Sequence, residues 1–140
     1  MSKSAVSTPP APLPNADSRL FWEAAARDEL LLRQCQACGK PHFPPRYLCP
    51  HCWSDKLGWT PSAGKAVVYS FTVMHRAPTP DFVGCVPYVV ALVDLDEGPR
   101  MMANIVGEDA LSTEVGDRVS VCYEDRPGGS KVPQFRRGKS

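Results

Sequence analysis

Apolar and polar positions divide the chain into stretches with different periodicities. Residues 1–16 are rich in Ser, Ala and Pro and carry no repeat, which predicts a disordered leader. RLFWEAAARDEL then places Leu20, Ala24 and Arg27 on one side, with Phe21, Trp22 and Ala25 adjoining, and Asp17 or Ser18 offers an N-cap. A helix over residues 17–30 follows. A helix this short cannot bury its own aromatic pair, so Phe21 and Trp22 are expected to dock on the body of the chain or on a partner. LLLRQC reads as a short apolar strand, whereas WSDKLGWTPSAG reads as turns, with Trp59 as a plug beneath them.

From Gly64 the period changes to that of strands. GKAVVYSFTVMH is β-branched and aromatic and long enough to bend around a barrel. VPYVVALVDLD and RMMANIVG follow, joined by a tight turn at Glu97-Gly98-Pro99, and VGDRVSVCYED is introduced by Gly116-Asp117. KVPQFRRG supplies a closing strand, with Pro133 tolerable near an edge or strand start. Helical spacing is confined to one turn around Glu108 to Leu111. The pattern predicts a mainly β protein: a docking helix (17–30), a cysteine-bearing ribbon (31–62) and an OB-like five-stranded Greek-key barrel (63–140). A small β-sandwich is the structural alternative.

Chemistry enters with the cysteines. Cys35, Cys38, Cys49 and Cys52 form two C-x-x-C pairs separated by ten residues of mostly turn-forming sequence. Two thiolates on a tight turn grip one side of a metal ion, and a second pair completes a tetrahedron. Zinc fits this set. Iron in a rubredoxin-like site is the metal alternative, and two disulfides or a redox pair are the metal-free ones. The leader has no apolar signal-peptide core, so a reducing cytoplasm is expected, where paired cysteines bind metal. Four protein ligands leave no open position, so the metal is read as structural. His42 and His51 sit beside the cysteines but are not needed as ligands. Cys85 and Cys122 lie in strand-like apolar segments and read as small buried residues.

Composition adds little attraction for polyanions or membranes. The formal net charge is +1, and no apolar run reaches the length of about 20 residues that spans a bilayer. No Gly-rich phosphate loop, G-x-S-x-G elbow or H-E-x-x-H occurs, and His75 is the one histidine outside the ribbon. No self-sufficient catalytic set emerges, so catalysis by the chain alone is not expected. Asp94, Asp96 and Glu97 read as a solvated hairpin end. Binding features are better represented: Arg33, Lys40 and Arg46 flank the ribbon, and Phe43, Tyr47, Trp53 and Phe82 offer flat walls. Ordinary solvated charge accounts for each basic residue taken singly.

The order FWEAAARDELLL, C-x-x-C-G-K…F-P-P-R…C-P-x-C, GKAVVYSFTVMHRAP, PYVVALVDLDEGPRMMANIVG and VGDRVSVCYED resembles one bacterial and archaeal family, over about residues 18–137. It is a zinc-ribbon plus OB-fold family, formerly a domain of unknown function, that accompanies thiolase-fold enzymes of acyl-CoA metabolism. Members accompany acetyl-CoA acetyltransferases, hydroxymethylglutaryl-CoA synthase, aromatic acyltransferases, benzoylsuccinyl-CoA thiolase and thiolase-fold aldolases of steroid side-chain degradation. The resemblance implies a non-catalytic accessory subunit that docks on a thiolase-fold dimer and helps form its CoA channel, with CoA or acyl-CoA as shared ligand. It carries over directly to the four cysteines. Phe43, Arg46 and Arg76 are candidate CoA contacts by their expected place at the ribbon–barrel junction. The alternative is a single-stranded nucleic-acid-binding module, since ribbons and OB-folds both serve that role.

Overall fold

A computed structural model of the chain describes residues 9–138. Residues 1–8 of the expected leader, and Lys139 and Ser140, lie outside the described residues, and residues 9–14 have no regular secondary structure. Helix α1 spans Arg19–Ala25, shorter than the expected 17–30. Its N-cap is Ser18, which is hydrogen-bonded to Asn15. The Asn15 Oδ1 accepts from the Ser18 amide at 2.9 Å, while the Asn15 amide donates to Ser18 Oγ at 3.1 Å. This reciprocal box fixes the turn that leads into the helix, and no side chain caps the first helical amides. At the other end the Glu29 amide donates to Ala24 O and the Asp28 amide to Ala25 O, both at 2.9 Å, with Asp28 in the left-handed region at φ 63°. This Schellman-type close turns the chain so that Leu30 is buried.

The ribbon is a three-stranded antiparallel sheet in the order β2-β1-β3, from β1 (Leu31–Cys35), β2 (Pro41–His42) and β3 (Leu57–Pro61). The sequence reading of LGWTP as turns is corrected here. Each residue of β1 has a partner on β3, from Leu31↔Pro61 to Cys35↔Leu57, and that cross-strand pairing overrides the turn composition. Trp59 stands opposite Arg33, whose guanidinium lies 4.3 Å from the indole centroid.

Five strands close the barrel: β4 (Lys65–Met74), β5 (Tyr88–Leu95), β6 (Arg100–Val106), β7 (Arg118–Asp125) and β8 (Lys131–Arg137). Their order β4-β5-β6-β8-β7, with β7 returning to β4, is that of an OB-fold. Strict alternation along β5 buries Val89, Ala91, Val93 and Leu95. A bulge at Tyr69 breaks the register of β4 against β5 and lets that long strand bend. The seam between β6 and β8 is parallel and short, Ile105↔Phe135 and Val106↔Arg136. Beside it the Asn104 amide donates to Gln134 Oε1 at 2.8 Å, and Gln134 Nε2 donates to Asn104 Oδ1 at 3.1 Å. These side-chain amides extend the ladder past Pro133, which has no N–H to give.

One continuous core joins the parts. Phe135, Val68, Val89, Val93, Ile105 and Val119 fill the barrel, and Phe21, Leu30 and Leu32 pack into the same cluster. Each such side chain contributes about 1.5–3 kcal/mol on burial. No helix among the described residues is long and apolar enough to cross a membrane.

Candidate metal centre and ribbon–barrel junction

The two C-x-x-C turns fold alike. In the first knuckle the Ala37 and Cys38 amides donate to Cys35 Sγ, both at 3.3 Å, and the Gly39 amide returns to Cys35 O at 2.9 Å. In the second, the His51 amide donates to Cys49 Sγ at 3.3 Å and the Trp53 amide to Cys49 O at 2.8 Å. The Cys38 amide first, with the Ala37 amide and the Cys52 and Cys38 thiols, holds the Cys35 thiol down at about 6. All four sulfurs lie within 4.8 Å of one another, with Cys35–Cys52 at 3.5 Å and Cys38–Cys49 at 3.7 Å. Ligands about 2.3 Å from a tetrahedral zinc stand about 3.8 Å apart, so the thiols fit that ion. Cys35 and Cys49 are buried, while Cys38 and Cys52 are exposed.

The residue after each knuckle differs. Gly39 has φ 80°, where glycine is at ease, but Trp53 has φ 67° with 73% of its surface exposed. A left-handed conformation costs a side-chain-bearing residue roughly 1–2 kcal/mol.

Between ribbon and barrel lies a recess of about 440 Å³, lined by Lys40, His42, Phe43 and His51 from the ribbon and by the Glu97–Arg100 turn of the barrel. His42 is 4% exposed, and neither ring nitrogen has a hydrogen-bond partner among the described residues. Burial, with the charges of His51, Arg33 and Arg46, pushes its imidazole below the usual histidine range. Glu97 ties the recess together. Its Oε1 accepts from Ser62 Oγ at 2.8 Å and its Oε2 from the Ala63 amide at 2.9 Å, clasping the linker between the two sheets.

The expected site residues separate. Phe43 lines the recess, its ring 5.4 Å from that of Phe21. Arg46 is exposed on the ribbon, close enough to act electrostatically on His42. Arg76 is not at the junction. It follows the far end of β4, the strand whose first residue, Lys65, adjoins the linker from the ribbon, and it does not line the recess. Phe21 is 3% exposed and packs inside the chain, with Trp22 edge-on to it at 4.8 Å. Cys85 ends a 3-10 turn, Pro80–Cys85, rather than lying on a strand, and lines a second recess of about 370 Å³ that also contains Pro9. Cys122 is half-buried on β7, and burial raises its thiol.

The three acids do stand at the β5–β6 hairpin end, with the side chains of Asp94 and Asp96 exposed to solvent, and each also holds a partner. Asp94 accepts from Arg100 Nε at 2.6 Å, Asp96 from both terminal nitrogens of Arg118, and Glu97 from the linker. Sequence reasoning missed Glu97 as the clasp. Its signal was available only as a carboxylate in a hairpin turn, with nothing to show that Ser62 and Ala63 would come within reach.

Comparison with known proteins follows these parts. The profile described as "ChsH2, rubredoxin-like zinc ribbon domain" matches residues 22–58, and "ChsH2, C-terminal OB-fold domain" matches residues 59–124. The chain belongs to the ChsH2 zinc-ribbon and OB-fold family. Within this family the four thiols are a structural zinc site. The boundary between the two matches falls inside β3, which the ribbon sheet holds whole. A "DUF35 domain-containing scaffold protein" of Methanothermobacter thermautotrophicus is 40% identical over 75% of this chain and 79% of that protein. A "Probable enoyl-CoA hydratase alpha subunit" of Thermomonospora curvata is 38% identical over 91% of this chain but 39% of its own length. The chain thus spans about two fifths of the hydratase alpha subunits it matches. Among solved structures, "Ltp2-ChsH2(DUF35) aldolase" superposes with a TM-score of 0.80 at 37% identity, covering 90% of this chain and 98% of that one.

Proposed function

We propose that this family member is a non-catalytic accessory subunit of a thiolase-fold acyltransferase, thiolase or aldolase, and that it completes the partner's channel for CoA or acyl-CoA. The observation that carries the reading is the likeness, over nearly the whole of both chains, to the DUF35 chain of a solved aldolase. A relative named "Benzoylsuccinyl-CoA thiolase subunit BbsA" in Geobacter metallireducens, 32% identical over 54% of this chain, points the same way.

The junction recess suits the phosphate-bearing end of such a ligand. Lys40 and the buried, unpartnered His42 face it, Phe43 offers an apolar wall, and Arg33 and Arg46 raise the local potential. Glu97 is already engaged by the linker, so its charge is partly offset. In this reading the partner supplies nucleophile and base, and this chain orders the pantetheine arm and excludes water.

Co-expression with a thiolase-fold enzyme of the same organism tests the reading. A stable complex is expected, with CoA affinity in the complex lowered by Lys40→Ala or Phe43→Ala. An enzyme equally soluble and active without this chain, with no complex formed, would refute it.

A further inference from the structure

Most aromatic rings of this protein are packed away. Phe21, Trp22, Phe43, Trp59 and Phe71 lie in or against the core. Tyr69 is half exposed but covered on one side by the guanidinium of Arg100, 3.4 Å from its centroid. Tyr47 and Trp53 differ, at 68% and 73% exposed. Both flank the second knuckle, between Pro45 and Ser54.

Trp53 is also held there against its conformational preference. Its φ of 67° is the one glycine adopts at the matching place in the first knuckle. The backbone on both sides is pinned, with Trp53 N–H to Cys49 O at 2.8 Å and Cys49 N–H to Ser54 O at 2.9 Å. A large indole is therefore presented to solvent on a turn pinned by two backbone hydrogen bonds and carrying two of the four clustered thiols. Such rigidity lowers the ordering cost of binding, and a conformational outlier of this kind points to function.

Charge indicates what covers it. The ribbon carries Arg33, Lys40, Arg46 and Lys56 against a single acid, Asp55. None of these cations forms an ion pair among the described residues, whereas Arg100, Arg118, Arg126, Lys131 and Arg137 outside the ribbon all do. Trp, Tyr and Arg are the residues that dominate protein–protein hot spots.

We infer that Arg46, Tyr47 and Trp53, on the rim of the second knuckle, form an anchor that seats in an acidic-rimmed recess of the thiolase-fold partner. The inference rests on the accessory-subunit reading and adds the surface that reading lacks. Specific contact comes from the indole and phenol, and the unpaired cations steer the encounter. A protein partner is favoured over a nucleic acid because Tyr47 and Trp53 stand on a knuckle rim and not on the barrel, where Arg100, Arg118 and Arg137 are engaged by carboxylates.

The test is binding of the purified partner enzyme to Trp53→Gly, Trp53→Phe and Arg46→Glu variants, with zinc content and melting temperature measured in parallel. Glycine adopts the left-handed conformation freely, so Trp53→Gly keeps zinc and stability at wild-type levels or above. Its affinity for the partner falls about thirty-fold, and Trp53→Phe recovers part of the loss. Arg46→Glu slows association, most at low salt. Undiminished partner binding by zinc-loaded Trp53→Gly overturns the inference but leaves the accessory-subunit reading standing. No complex with the wild-type chain sinks both. If Trp53→Gly instead abolishes salt-sensitive binding of a labelled single-stranded oligonucleotide and spares the partner, the anchor belongs to nucleic acid and the inference is wrong.

Discussion

On the ribbon four cations face one acid and none is ion-paired among the described residues; on the barrel Arg100, Arg118, Arg126 and Arg137 each hold a carboxylate. The interiors differ in the same sense. The barrel encloses Phe135, Ile105 and a set of valines, but the ribbon has little beyond Leu32 and two buried cysteines. One region is held by packing, with four of its arginines engaged by its own carboxylates. The other is built around a four-thiol zinc site, with Lys40, Arg46 and Lys56 and two aromatics left outward. Stability and recognition are thus assigned to different sheets of one small chain, and each can be perturbed with limited effect on the other.

The largest separation should come from removing zinc. Chelation, or Cys35→Ser, is expected to abolish protection of the amides around Cys35 and Cys49 in hydrogen exchange while β4 to β8 stay protected. Metal binding contributes about 10 kcal/mol or more to small ribbons, and the barrel has its own core. Loss of both regions together would show that the contrast is wrong. The reverse perturbation is Phe135→Ala. It should cost about 3–5 kcal/mol in denaturant unfolding and leave zinc stoichiometry unchanged.

Gly64→Ala comes next, because it sits where the regions meet. A Cβ there would lie 2.3 Å from Val121 Cγ1, and the residue has φ 77°. About 3 kcal/mol of destabilisation is expected, read as a lowered melting temperature. Glu97→Ala should cost only about 1 kcal/mol but speed exchange of the Ala63 amide, loosening the ribbon relative to the barrel.

The smallest effect concerns pH. His42 has its folded pKa lowered by burial, so its contribution is present above about pH 6.5 and is eroded as pH falls below that. The barrel acids Asp96 and Asp117 are lowered too, by Arg118 and by the Glu114 amide respectively. Their contribution persists to below about pH 4. Mild acid should therefore weaken the ribbon first. His42→Asn should flatten the melting temperature between pH 7.5 and 5.5 at constant zinc; an unchanged slope would remove His42 from the account.

Much of this division could be read from sequence, because its signals are local. Two C-x-x-C pairs define a metal turn by spacing alone, and the alternation of YVVALVDL defines a half-buried strand. What was hidden depends on distant partners. LGWTP becomes a strand because β1 runs beside it, although Gly58 and Pro61 speak for a turn. The helix stops at Ala25, where the chain turns so that Leu30 reaches the core, and Ser18 is its N-cap as the sequence offered, though its hydroxyl bonds back to Asn15 and not to the helical amides. Arg76 does not line the junction recess, since it follows the far end of the ten-residue β4, and sequence order does not say which end of that strand faces the ribbon. Trp53 gave no local sign of its backbone, since only the symmetry of the two knuckles requires it.

The seam between β6 and β8 has a consequence for how the molecule is made. The last strand of the barrel inserts between two strands that precede it, so the cylinder cannot close until that strand has been synthesised. The ribbon is complete by Pro61 and can take its metal while the ribosome is still translating the barrel. Until β8 arrives, the edges of β6 and β7 are open to other chains. A nascent chain stalled before Lys131 should therefore carry its zinc yet depend on a chaperone to stay unaggregated.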